Sequence, residues 1–152
     1  MRIGVLSDTH GLLRPEALTA LAGVDALIHA GDVGAPEILD ALRARAPLTV
    51  VRGNNDRGAW AAALPERAEL DAGGARILVV HDAKTLDLDP RAAGYAAVVA
   101  GHSHQPRNQC VDGLLWFNPG AAGPRRFRLP VCVGLLTTRR GKLHGEIVTL
   151  RV

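Results

Sequence analysis

Five short apolar runs in this chain end on residues that can ligate a metal or move a proton. Residues 3–6 lead into Ser7-Asp8-Thr9-His10, and residues 26–29 into Ala30-Gly31-Asp32. Residues 48–51 lead into Gly53-Asn54-Asn55-Asp56, residues 77–80 into His81-Asp82, and residues 96–100 into Gly101-His102-Ser103-His104. Runs of four or five apolar residues suit strands buried on both faces, as in a parallel sheet covered by helices. Strands of that kind end at one edge, so the runs predict a single sheet edge crowded with carboxylate, amide and imidazole groups. Hard oxygen donors mixed with imidazole suit divalent transition metals, and five such ends imply more than one ion.

A chain of 152 residues with 47% apolar content supports one domain, taken here as 1–152. Aromatics are only 3%, so Ala, Val and Leu must build the core. The net charge of +3 is too mild for a nucleic-acid groove. The clusters Arg125-Arg126-Phe127-Arg128 and Arg139-Arg140-Gly141-Lys142 are short. Cys110 and Cys132 form no paired motif and read as buried free thiols in a reducing, cytoplasmic setting. No stretch approaches the roughly 18 apolar residues of a membrane helix, and the N-terminus reads as a strand rather than a leader.

The first third alternates strand and helix. Pro15 opens a helix to about Ala22 with Leu18 and Leu21 inward, and Pro36 opens another with Ile38, Leu39 and Leu42 on one face. After residue 66 the pattern turns antiparallel. Hairpins are expected around Asp71-Ala72-Gly73-Gly74, Asp112-Gly113 and Arg139-Arg140-Gly141. Two mixed sheets packed face to face with helices outside satisfy both halves.

If strand geometry persists past residue 6, Asp8 and His10 point to one side, and His102 and His104 do the same. Gly31 lets a neighbour approach Asp32 closely, so that carboxylate is placed to bridge two ions. Asn54 offers a neutral oxygen, and His81 a further imidazole. The donor set is Asp8, His10, Asp32, Asn54, His81, His102 and His104.

In this order, the Asp-x-His, Gly-Asp, Gly-Asn, lone His and Gly-His-x-His motifs resemble the calcineurin-like metallophosphoesterases. The resemblance spans the whole chain and is closest to their small single-domain bacterial and archaeal phosphodiesterase branch. It implies an α/β fold, a four-layer α/β/β/α sandwich of two mixed sheets flanked by helices. It also implies two divalent ions: Mn²⁺ first, with Fe²⁺, Ni²⁺ or Zn²⁺ as alternatives. Asp8, His10, Asp32 and His104 would hold one ion, and Asp32, Asn54, His81 and His102 the other. Catalytic roles fall to Asp32, Asn54 and His102 through those metals, with a metal-bridging hydroxide attacking a phosphodiester. Ser7, Thr9, Asp82 and Ser103 stand beside ligands and are expected to orient them.

Many members of that family carry a histidine directly after Gly-Asn, where this chain has Asn55. An amide supplies no proton at neutral pH, and general-acid help is typically worth about 10²–10⁴-fold. Small or activated diesters are therefore the expected substrates. Asn55, Arg14, Arg57 and Arg125, with Arg126 beside it, are the candidate substrate contacts. The turn-rich segment 118–124 is a candidate wall of the site. His29 reads as a hydrogen-bonded core histidine, His144 as a surface residue, and Asp56 as a loop cap. Two alternatives remain: a phosphomonoesterase or nucleotidase on the same site, and a non-catalytic metal-binding interaction scaffold.

Overall fold

In the computed structural model, which describes residues 1–152, strand β1 (Arg2–Leu6) lies at the centre of a five-stranded sheet. Four of its five residues are buried, as a run without polar alternation requires. β2 (Ala26–His29) and β3 (Leu48–Val50) lie parallel to it, pairing Ile3 with Ala26 and Leu27 with Leu48. Each crossover carries a helix begun by proline, α1 (Pro15–Ala20) and α2 (Pro36–Arg43). The fixed φ of proline suits the first helical turn, where the missing N–H costs nothing. α2 buries Ile38, Leu39 and Leu42 as expected. α1 stops two residues early, and Leu21, just past its end, still reaches the core. A further short helix, α3 (Ala59–Ala62), has no apolar periodicity to announce it.

β4 (Arg67–Ala72), β5 (Ala75–Val80), β6 (Ala97–Val99), β7 (Arg107–Val111) and β8 (Leu114–Asn118) build a second sheet in the order β4-β5-β6-β8-β7. β9 (Cys132–Arg139) and β10 (Lys142–Thr149) return to the first sheet, giving the order β10-β9-β1-β2-β3. All three expected hairpins form, each on a two-residue loop: Gly73-Gly74, Asp112-Gly113 and Arg140-Gly141. Both residues of every loop have positive φ, between 51° and 93°. That is the hand that matches the right-handed twist of the flanking strands. Cys132 is buried, but Cys110 is exposed on β7, contrary to expectation. β7 is an edge strand with all five residues exposed, so no second layer covers that thiol.

The sandwich is that of the expected fold class. Ile3, Val5, Ile28, Ile77, Val79, Val99 and Leu136 meet between the sheets. The outer face of the first sheet packs on α1 and α2 through Leu6, Leu27, Leu39 and Leu42. The outer layer of the second sheet is much thinner. A single 3₁₀ turn (Ala83–Thr85) and the segment 86–95 cover Leu78, Val80 and Val98 there. No helix in the structure is long and apolar enough to cross a membrane.

Phe117, 2% exposed, is the largest side chain between the sheets. Its ring lies against Gly134 on β9 and Gly145 on β10, where a Cβ would collide with it. The expected cost of Phe117→Ala is about 3–5 kcal/mol, read as a lower urea midpoint with an unchanged slope.

Candidate metal centre

β1, β2, β3, β5 and β6 all end at one edge, because β1–β3 are parallel within one sheet and β5–β6 within the other. The side chains do not reach that edge by the extended geometry expected. Asp8, His10, Asp32, His102 and His104 have φ of 55°, 45°, 55°, 70° and 61°, all left-handed. Aspartate and histidine enter this region more readily than most residues with a Cβ, at a cost of up to about 1 kcal/mol. The surroundings enforce it: Asp8 N–H donates to Gly31 O at 3.0 Å, and His10 N–H to Asp32 O at 2.9 Å. Each pair of ligands still converges, but through alternate left-handed turns.

Three glycines let the loops close on one another. A Cβ on Gly31 would lie 2.6 Å from His81 Nδ1. One on Gly53 would strike Asp32, and one on Gly101 would strike Ser7 and come within 2.7 Å of Asp8 Oδ2.

Two donor groups result, Asp8/His10/His104 and Asp32/His81/His102. In the first, Asp8 Oδ1 lies 3.6 Å from His10 Nε2 and 3.4 Å from His104 Nε2, with the two imidazole nitrogens 3.3 Å apart. In the second, His81 Nε2 lies 3.0 Å from Asn54 Oδ1 and 3.3 Å from His102 Nδ1, and Asn54 Oδ1 lies 3.2 Å from that same Nδ1. Asp32 Oδ2 stands between the groups, 3.7 Å from His10 Nε2 and 3.3 Å from His81 Nε2. Neighbouring donors about 2.1–2.2 Å from one divalent ion lie about 3.0–3.5 Å from each other, from octahedral to tetrahedral geometry, so these separations suit metal coordination.

Hydrogen bonding supports that fit. His81 Nδ1–H donates to Ala30 O at 2.7 Å, so its Nε2 presents a lone pair to the oxygens of Asn54 and Asp32. Three acceptors facing one another need a cation. Asp8 Oδ2 accepts from Ser7 Oγ at 2.7 Å and from the His102 N–H at 3.0 Å. Its Oδ1, aimed at His10 and His104, is buried without any partner.

Protons compete for the same lone pairs. The Asp8 carboxylate pushes the His10 imidazole up. Burial opposes a charge on His81, yet Asp32 and the Ala30 carbonyl push it up as well. Burial would raise Asp8, but His10, His104 and Ser7 hold it well below the ordinary carboxylate range. Asp32 is likewise lowered against burial, by His81 and the Asn55 N–H. A cation entering this edge would compete with protons for His10 and His81.

The candidate substrate contacts fall in different places. Asn55 turns toward the donor set: its N–H donates to Asp32 Oδ1 at 2.9 Å and its Nδ2 to Asp32 Oδ2 at 3.1 Å. Arg14 is half-buried, its Nε donating to Gly123 O at 3.1 Å. Arg57 and Arg125 are exposed, with no bond to the donor set. Arg126 is the arginine whose charge His10 feels. Segment 118–124 does wall the site, with Ala122 N–H on Ser7 O at 2.9 Å and Gly123 against Thr9.

The sequence model of the calcineurin-like phosphoesterase superfamily domain matches residues 1–141. A probable metallophosphoesterase of Methanothermobacter thermautotrophicus is 32% identical over 160 residues, 97% of this chain and 92% of that protein. A phosphodiesterase of Methanocaldococcus jannaschii is 29% identical over 167 residues, 97% of this chain and 99% of that protein. Vps29 of Entamoeba histolytica, complexed with Zn²⁺, superposes with a TM-score of 0.75 at 23% identity, over 98% of this chain and 99% of that one. That last likeness is one of fold.

Two buried polar side chains beneath the donors set the loop positions. Asp56 accepts backbone N–H bonds from Val33 (3.2 Å), Gly34 (3.0 Å) and Gly53 (2.9 Å), tying the loop after β2 to the loop after β3. It is a loop cap, as expected, but one that spans two loops. Asn118, which opens the expected wall segment 118–124, has a role that segment alone does not predict. It donates to Gly101 O at 3.0 Å and Ser103 Oγ at 3.2 Å, bracing the turn that carries His102 and His104. A polar residue closing an apolar strand before Pro-Gly was its only signal. Asp82 Oδ1 accepts from Lys84 N–H at 3.0 Å, and its Oδ2 stands 3.8 Å from His102 Nε2.

His29 is fully buried, and its ring accepts the Gly31 N–H on Nδ1 at 3.1 Å. Nε2–H must then donate to Thr9 Oγ1 at 3.0 Å, which donates to Val33 O at 2.7 Å. This relay fixes one neutral tautomer. Burial pushes the imidazole down to about 4, whereas the unfolded chain titrates near 6.5. The unfolded state therefore binds the extra proton, and the stability His29 contributes is complete above pH 6.5 and lost as pH falls toward 4. Over that interval the loss is expected to be roughly 3 kcal/mol. Urea unfolding in chelator across pH 6.5 to 4.5 should show a flatter pH dependence for His29→Gln than for the native chain. An equal slope in both would mean that His29 is not the buried neutral group.

Proposed function

We propose that this chain, which belongs to the calcineurin-like phosphoesterase superfamily, is a metal-dependent hydrolase of small or activated phosphodiesters working with two divalent ions. One observation carries the reading: Asp32 Oδ2 lies 3.7 Å from His10 Nε2 in the first donor group and 3.3 Å from His81 Nε2 in the second, so that a single carboxylate would serve both. When bound, two such ions supply an acidified water, a clamp on the phosphate oxygens and charge neutralisation during in-line displacement.

The chain's own residues supply position. Asp8, His10 and His104 hold one side of the site and Asn54, His81 and His102 the other, with Asp32 between them. His81 is fixed in its tautomer by Ala30, and Asp32 is oriented by Asn55. Asn54 contributes an oxygen without a charge, which leaves the second group less repulsive toward a phosphate. Arg126 adds positive charge on the His10 side.

The phosphodiester preference is supported by the phosphodiesterase relative of Methanocaldococcus jannaschii and by Asn55, which offers no proton to a leaving oxygen. Mn²⁺ is our first choice of ion, with Fe²⁺, Ni²⁺ and Zn²⁺ as alternatives. The fold shared with Vps29 keeps a second reading in view, a metal-binding scaffold without turnover.

Hydrolysis of an aryl phosphodiester by protein reloaded with each metal separately tests the proposal. His81→Ala and His102→Ala are each expected to lower the rate at least 10²-fold, with circular dichroism unchanged. Full activity in both variants would falsify the assignment, and no turnover with any metal in the native chain would leave the scaffold. Asn55→His is expected to raise the rate on esters of poorer leaving groups by roughly tenfold. It should also flatten the dependence of rate on leaving-group pKa. An unchanged slope would show that the missing proton donor does not limit turnover.

A further inference from the structure

Two clefts share Asp82 and His102 in their walls. The one on the donor side, about 360 Å³, has no hydrophobic lining and reaches the second donor group through Asn54, His81 and His102. The cleft on the far side, about 410 Å³, is of another kind, with Val98, Ala100 and Trp116 among its lining residues and Lys84 and Arg107 as its cations. It lies where the outer layer of the second sheet is thin, past the turn Ala83–Thr85.

The aromatic wall of this cleft is organised. Trp116 is half-buried on the outer face of β8, packed on the cluster around Leu78 and Val98. The Arg107 guanidinium lies 5.2 Å from its ring centroid. Arg107 is held there by Nε and Nη2, which donate to Gln109 Oε1 at 3.2 and 3.0 Å. A fixed planar cation over an indole is a stacking platform, open to another flat π-system and attractive to an anion. The single acid of the cleft, Asp82, already receives the Lys84 N–H, so the two cations outnumber it.

We propose that this cleft binds the planar aromatic group of a phosphoester whose phosphate occupies the donor-side cleft, with the ester straddling His102. The proposal rests on the phosphoesterase reading and narrows its substrates to esters of aromatic or nucleobase-bearing alcohols. Apolar walls and a stacked cation fit a flat ring, while Lys84 and Arg107 give this cleft a positive charge beside the phosphate held at the donor side. His102, a member of the second donor group, lines this cleft as well.

The test is calorimetric binding to Zn²⁺-loaded protein of four probes: inorganic phosphate, ribose 5-phosphate, phenyl phosphate and 5′-AMP. The two aromatic esters are expected to bind about tenfold tighter than ribose 5-phosphate. They should also quench Trp116 emission in a Trp60→Phe background. AMP ahead of phenyl phosphate would identify a nucleobase as the occupant, and the reverse a simple aryl group. Trp116→Ala should erase the aromatic advantage and leave phosphate binding unchanged. Arg107→Ala, on the exposed edge strand, should reduce the advantage about threefold without touching the core. Aromatic esters binding no tighter than ribose 5-phosphate, or an advantage that survives Trp116→Ala, would overturn the cleft assignment while phosphate still binds. Loss of phosphate binding itself would instead remove the phosphoesterase reading, and the cleft assignment with it.

Discussion

Electrostatic frustration around Asp32 is the constraint on which this structure turns. The residue is 2% exposed, and imidazole nitrogens approach its carboxylate from two directions. Such a cluster of lone pairs repels itself unless positive charge enters it. The rest of the edge serves that convergence. Gly31 and Gly53 clear space on either side of Asp32, Asn55 takes up both of its oxygens, and Asp56 ties together the loops that carry Asp32 and Asn54. Two sheets with parallel centres bring five loops to one place, and the crowding there requires residues without side chains.

Much of this was legible in the sequence because two periodicities are unambiguous. Proline-initiated amphipathic segments between unbroken apolar runs allow only parallel crossovers, and paired turn residues between alternating runs allow only hairpins. The seven donors could be named for a related reason: each follows a strand that has nowhere to end except this edge. What sequence could not show was backbone sign. Left-handed conformations are signalled by glycine, and here aspartate and histidine adopt them under compulsion from neighbouring loops. Extended geometry at Asp8 and His10 was the natural inference, and tertiary pairing overrode it.

The other differences share one cause. Its residue type predicts a buried Cys110, yet the thiol sits on an edge strand that no layer covers. The roles of Asn118 and Asn55 depend on which loop faces which, information that local pattern does not carry. The thin cover over the second sheet arises the same way. Segment 86–95 has enough apolar residues to pack on the sheet but no helical period, and it lies down as irregular chain.

Five ligands in left-handed backbone set the edge against the preferences of its own residues. At up to about 1 kcal/mol each, the total is a sizeable fraction of the net stability of a small domain. Selection for heat resistance alone would therefore remove the donor side chains from this edge first. Glycine at His10, His102 or His104 would relax the turn and delete the imidazole in one step. A thermostable descendant evolved without demand for turnover should keep both sheets and all three hairpins and lose its donors from this edge. In this fold, rigidity of the frame and reactivity of the edge are opposed at the level of single φ angles.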